Sequence, residues 1–401
     1  MIQMNDGTAG LSDIISAAAS VKRSLQIVGG ASKLFYGREP TGELLAVGNH
    51  TGITAYDPTE LVVTVRAGTR LSDLAEVLRH ERQMLPFEPP QFGSLTTIGG
   101  TVACGLSGPS RPYRGAVRDF VLGVGLLNGW GEQLRFGGQV IKNVAGYDVS
   151  RLITGAMGTL GVILDVSIRV HPLPETEKTL YYELTEQQAL KKMNEVSGRP
   201  LPLTGACYYQ GVLSLRLSGS VEGVSAAVDV LGGSQASDGD AIWATLRDHS
   251  HPYFVSDKPL WRLSVPSVAG SLDLAGETFV EWGGALRWLQ SELSPDLIRA
   301  SVEALGGHAT LFRGGDRSGS VFHPNARALH ELNVRLKRTF DPEGILNPGR
   351  LYQIFSTMQT KLAPFISDTS AGREAQEILG RCVHCGSVQP PVRLTNYSAM
   401  N

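Results

Sequence analysis

The chain has 401 residues, 42% of them hydrophobic and 18% charged, with a formal net charge of −2. That balance supports a large core in about two or three domains, and it excludes a disordered chain and a nucleic-acid binder that relies on a basic stripe. Four cysteines are too few for a disulfide framework, no apolar run reaches membrane-spanning length, and the start MIQMNDGTAGLSD lacks a signal-peptide pattern, so a cytoplasmic, reducing setting is expected.

The first elements are short β runs, SLQIVGG, ELLAVGN, TGITAY and ELVVTVRAG, each bounded by turn residues. TRLSDLAEVLRHER follows as a helix, with Leu71, Leu74, Ala75 and Leu78 on one face. The next stretch is turn-rich and glycine-dense, with a strand pair around FVLGVGLLNGWGEQLRF joined at Asn128-Gly129. GTLGVILDVSIRVHPLP reads as a buried strand ended by Pro172 and Pro174. Beyond it, TEKTLYYELTEQQALKKMNEVSG is a strand followed by a helix, and ACYYQGVLSLRLSGSVEGVSAAVDVLGG repeats that order. HELNVRLKRTFDPEGILNPGRLY closes this part as a helix with a Pro- and Gly-bearing turn. Strands in antiparallel-compatible spacing with interspersed helices predict an α+β fold.

Glycine is abundant, at 47 residues, and clustered. Clustering after a strand lets successive backbone N–H groups converge on a phosphate, which requires no basic side chain. VGGASKLF, with Val28, Gly29, Gly30, Ala31, Ser32 and Lys33, is one such stretch, and a tight structural turn is its alternative. TTIGGTVACGLSGP is a second, with Thr97, Ile98, Gly99, Gly100, Thr101, Ser107 and Gly108, and its small residues suit a backbone laid against a flat or phosphorylated ligand. In GAMGTLGVI the glycines fit G-x-x-G-x-x-G but precede a strand, which argues against a Rossmann turn. Cys104, among small apolar residues, reads as a packed thiol.

These stretches, with RFGGQVIKNVAGYDVSRLITGAMGTLGVILDVSIRVHP and FDPEGILNPGR, resemble the PCMH-type FAD-binding family of vanillyl-alcohol oxidase over residues 25–351. LWRLSVP, EWGGALRWL and GGHATLFRGGD bring the resemblance to the FAD-binding subunits of bacterial glycolate oxidases. The resemblance implies a two-part FAD domain over 1–173, an α+β cap over 174–320, and a helix and turn over 321–357 that return to the flavin domain. It implies non-covalent FAD with its pyrophosphate on residues 28–33 and 97–101, and with Ser107, Gly108, Gly158, Gly161, Val162 and Ile163 along the rest of the cofactor. Ala31 stands where a third glycine is common in that family.

The family also implies oxidation of a small 2-hydroxy acid, glycolate to glyoxylate, within a complex of a second flavin subunit and an iron–sulfur subunit, peripheral at the inner membrane face. A stand-alone oxidase and a scaffolding subunit are the competing readings. Such chemistry needs a cation for the carboxylate and a base for the hydroxyl proton. Arg262 and Arg287 are the candidate cations, each beside a tryptophan that would serve equally for structural stacking. His308 and His323 are the candidate bases, set against the structural role that a lone histidine more often has.

Residues 358–401 resemble instead the start of the iron–sulfur subunit. Cys382 and Cys385 supply only the first half of the ferredoxin run C-x-x-C-x-x-C-x-x-x-C-P. Read one base out of frame from Ser387, Val388 and Val392 conceal cysteine codons four apart and Arg393 a proline codon, which completes the run. A frameshifted, fused fragment is therefore expected there, and no metal is assigned to the chain.

Overall fold

In the computed structural model the described residues are 7–138, 148–235 and 239–353. Residues 139–147 and the segment 358–401 with Cys382 and Cys385 lie outside them.

The architecture is α+β and is built on two antiparallel sheets. The first has five strands in the spatial order Ile53–Asp57, Val62–Arg66, Val162–Arg169, Val121–Leu127 and Gln133–Gly137. Its middle strand is buried at every position except Arg169, because both faces are covered. One face sends Val63, Val65, Val166 and Ile168 against Leu71, Leu74 and Leu78 of the helix Leu71–His80. On the other face the Thr64 and Ser167 hydroxyls meet at 2.9 Å and Asp165 pairs with Arg135 at 2.7 Å, so the polar groups there are satisfied.

Leu25–Val28 and Glu43–Ala46 form a separate parallel pair. A helix that the sequence pattern did not signal, Thr8–Ser20, lays Leu11, Ile15 and Ala18 on this pair. Gly7 at its start offers no capping side chain, which removes the usual mark of a helix N-terminus. The glycine-dense stretch TTIGGTVACGLSGP, read from sequence as turn-rich, also contains a helix, Ile98–Cys104. Thr97 caps it by accepting from the Gly100 amide at 3.2 Å.

The second sheet has eight strands, in the order Ser234–Gln235, Thr176–Glu183, Val212–Gly219, Leu203–Tyr209, Glu277–Glu281, Leu286–Gln290, Leu260–Ser264 and His308–Arg313. ACYYQGVLSLRLSG, expected as one strand, is a hairpin that turns at Gln210-Gly211, both at positive φ. Glutamine is an unusual residue for such a turn, so the pattern alone did not mark it. Registration sorts the side chains by face: Arg262 stands opposite Trp288, and Trp288 opposite Phe279, while Arg287 stands opposite Leu263 and Val280 on the reverse side.

After the helix Arg327–Phe340 the chain returns to the first strand pair. Leu25 donates to Ile345 O at 2.7 Å and accepts from the Asn347 amide at 2.9 Å. The segment ILNPGR thereby becomes part of the wall around the glycine loop.

Candidate active site

The loop after Leu25–Val28 and the helix Ile98–Cys104 face each other across a cleft of about 780 Å³, open solvent included. Val28, Gly29, Gly30, Ala31, Ser32, Lys33, Thr97, Gly99, Gly100, Gly158, Gly161 and Ile163 all line it. Two of these glycines are dictated by packing. A Cβ on Gly30 would stand 1.4 Å from Leu95 O, and one on Gly99 would stand 2.5 Å from the Ala67 Cβ. The backbone can therefore come close only where the side chain is absent. Ala31 has φ +58, the left-handed conformation that a glycine there would adopt freely.

The amides of Gly30, Ala31 and Ser32 find no acceptor among the described residues. Beside them Lys33 is 6% exposed, and its ammonium reaches only the Ser32 and Thr101 hydroxyls, each at 3.5 Å. Burial pushes its pKa down. Free amides and a buried cation without a carboxylate fit a diphosphate, and so fit FAD.

The remaining predicted cofactor residues lie behind or beyond the cleft. Ile98 and Val162 are buried in the cores, and Thr101 sits beneath the cleft floor, its hydroxyl on Thr97 O at 3.0 Å. Ser107 and Gly108 line a second cavity. Cys104 lies half-buried in the wall of the cleft, where a packed thiol was expected; burial raises its pKa and the nearby Lys33 and Arg350 oppose that rise.

Asn347 and Arg350 had no role assigned from sequence. Asn347 accepts from the Ile27 amide at 2.8 Å and donates to Met157 O at 2.7 Å. Arg350 donates to the carbonyls of Leu34 at 3.0 Å and Tyr36 at 2.5 Å, and also to Arg38 O. One guanidinium thus gathers the carbonyls of the loop that follows the glycines. The NPGR turn was the signal available for both residues.

The second cavity, about 360 Å³ with open solvent included, opens where the loop Leu106–Pro109 meets the eight-stranded sheet. Arg262, Glu281, Trp282, Trp288 and His249 contribute to its wall. The Arg262 guanidinium lies 5.0 Å from the Trp282 ring centre and has neither hydrogen-bond acceptor nor ion-pair partner among the described residues. Arg111 approaches the same ring at 4.6 Å from the exposed side. Glu281 is buried, accepts from the Trp288 indole at 2.6 Å, and is pushed up to about 7 by that burial against the opposing pull of Trp288 and Arg262.

Of the four side chains expected to carry chemistry, the fold brings Arg262 alone to this cavity. Arg287 is on the reverse face, donating to Gly284 O at 2.8 Å and Ala269 O at 2.9 Å, with Glu186 at 3.7 Å. His323 accepts from the Ala309 amide at 3.3 Å and pairs with Glu303 at 3.0 Å, so both ring nitrogens are engaged. His308 is exposed at the end of its strand, 6.3 Å from the His323 ring.

A glycine cradle with a buried cation is what an FAD-binding protein requires, and residues 6–137 match the FAD binding domain family. Over 352 residues the chain is 45% identical to glycolate oxidase subunit GlcE of Escherichia coli (strain K12), covering 88% of this chain and 99% of that protein. The chain belongs to the family of that subunit. It is also 31% identical over 180 residues to glycolate oxidase subunit GlcD of Bacillus subtilis (strain 168), covering 44% of this chain and 38% of that one. D-lactate dehydrogenase of Anaerostipes hadrus is 31% identical over 135 residues, 34% of this chain and 28% of that enzyme. Among solved structures, an alkyldihydroxyacetonephosphate synthase superposes with a TM-score of 0.60 at 15% identity, covering 85% of this chain and 75% of that one, and so shares its fold.

Proposed function

We propose that this chain is the FAD-binding subunit of a glycolate oxidase complex and that it oxidises a small 2-hydroxy acid at the second cavity. The observation that carries the reading is Arg262, a guanidinium in the wall of the second cavity with no acceptor among the described residues. A carboxylate supplies the two oxygens that its fork can hold, and the Trp282 face fixes the plane of the fork. Lys33 and the amides of Gly30 to Ser32 would hold the FAD diphosphate, and FAD when bound supplies the two-electron acceptor for the α-carbon. Arg111, on the same Trp282 ring, would add positive potential that draws an anion inward.

Electrons would pass onward to an iron–sulfur partner, with a second flavin subunit beside this one. Among the described residues no helix is long and apolar enough to cross a membrane, so any membrane contact would come through the complex.

Anaerobic mixing with glycolate tests the reading through the absorbance of the flavin bound to this chain. Glycolate should bleach it, and Arg262→Met should weaken binding of glycolate and of the unreactive analogue oxalate by about 100-fold, the scale of a charged hydrogen-bonded contact. Flavin that stays oxidised, with the chain alone and in the complex, would overturn it.

A further inference from the structure

His249 sits in sequence that carries no motif, in the turn that follows the helix Gly239–Arg247. The fold makes it part of the second cavity, with Arg262 and Glu281. Its ring stacks on Phe254 at 4.1 Å and meets the edge of Trp288 at 4.8 Å, and Trp288 in turn donates to Glu281. Its backbone, at φ +54, is the left-handed cap that closes this helix, with the Ser250 amide donating to Thr245 O at 2.9 Å. One feature distinguishes it from an aromatic packing residue. Its Nδ1 is buried and has no hydrogen-bond partner. A phenylalanine would fill the same aromatic box without an unpaired nitrogen. An unsatisfied nitrogen on a residue in the wall of this cavity points to a ligand group that the nitrogen is held to meet.

We propose that His249 is the proton acceptor for the hydroxyl of the acid whose carboxylate rests on Arg262, an assignment that builds on the function proposed above. The imidazole would take the O–H proton as the C–O bond becomes a carbonyl, and the α-hydrogen would leave with its electron pair, as a hydride, to the two-electron acceptor that FAD supplies when bound, so the acid loses two electrons and the cofactor gains them. His323 has both nitrogens engaged, and His308, although on the same face of the sheet as Arg262, does not line the cavity.

The charged groups nearby are Arg262 and Arg313 from neighbouring strands, Glu281 across Trp288, and the Arg247–Asp248 pair beside it, joined at 2.7 Å. Burial, aided by Arg313 and Arg262, pushes the imidazole down to about 3, which keeps it neutral but makes it a weak base while the cavity is empty. A substrate carboxylate on Arg262 offsets that cation and makes the imidazole a stronger base once the acid is bound. The rate of flavin reduction should therefore fall on the acid side, as protonation of the imidazole removes the acceptor.

Stopped-flow reduction of the FAD-loaded protein by glycolate, as a function of pH, tests this with two variants. His249→Asn suits the left-handed backbone and keeps a polar group that cannot take a proton, whereas His249→Phe keeps the aromatic packing. Both should bind FAD and oxalate within about threefold of wild type, reduce flavin roughly 10²- to 10⁴-fold more slowly, and lose the acid limb. A variant that binds FAD and is reduced at the wild-type rate with the wild-type pH profile overturns the assignment of His249 and leaves the proposed function standing. Wild-type flavin that glycolate does not reduce, with the chain alone and in the complex, overturns both.

Discussion

Lys337 and Asp341, one turn apart at the end of the helix Arg327–Phe340, meet at 2.5 Å in the interior, where neither is more than 3% exposed. The ammonium also donates to Thr159 O at 2.6 Å and Leu346 O at 2.7 Å. The carboxylate accepts from the Ile345 and Leu346 amides at 3.1 and 2.7 Å. The pair therefore fastens the FDPEGILNPGR turn to the flavin domain through backbone groups on both sides. Removing the carboxylate strands a buried cation, so Asp341→Ala should cost about 3–5 kcal/mol of stability. Chemical denaturation measures that cost, and FAD should be lost at lower denaturant than from wild type, because Asn347 and Arg350 lie just beyond the turn.

Lys33 is the opposite case, a buried ammonium with hydroxyls at 3.5 Å and no carboxylate among the described residues. An anion on the cofactor would meet it. Lys33→Met should weaken FAD binding by about 1.5–3 kcal/mol, roughly 10- to 100-fold, while stabilising the cofactor-free protein. Titration of the apoprotein with FAD and melting without it measure the two effects, and equal affinity in wild type and variant would refute the charge contact.

Ala31 holds φ +58 in the cofactor loop. Ala31→Gly removes the Cβ penalty of the left-handed conformation, against which stands the larger entropy that glycine brings to the unfolded chain. A net gain of up to about 1 kcal/mol is expected. Thermal melting with FAD in excess reads the change, and a lower melting temperature would contradict it.

Glu281 is pushed up to about 7 in the fold, against an ordinary value of 4.5. The folded state then binds more protons than the unfolded state between those values, so stability falls as pH rises through that window and levels off above it. The loss is on the order of 3 kcal/mol. Urea unfolding at pH 5 and pH 8 should show it in the wild type, and Glu281→Gln should flatten the difference.

Much of the fold was legible because its elements announce themselves locally. The early β runs, the Leu71–Leu78 stripe, the Asn128-Gly129 turn and the buried run before Pro172 each follow from spacing and turn chemistry. The glycine loops could be read as a cofactor cradle because only small residues permit so close an approach. What escaped the sequence was set by distant contacts. The helix Ile98–Cys104 holds together in spite of its glycines because Gly99 packs on Ala67. Arg262 and Arg287 look alike in sequence, each beside a tryptophan, and only strand register places one in the cavity and the other behind the sheet. His249 lies in sequence without a motif, Glu281 opens EWGGALRWL without a role assigned to it, and the fold alone gives them the same cavity.

The hold of Arg350 on the carbonyls that follow the glycine loop joins residues more than three hundred positions apart. During synthesis the loop emerges from the ribosome long before the residue that shapes it. A nascent chain that has completed its first sheet still lacks the far wall of the cleft, so FAD capture should come late, after the helix Arg327–Phe340 has folded back, and should act as a check that synthesis has passed Arg350.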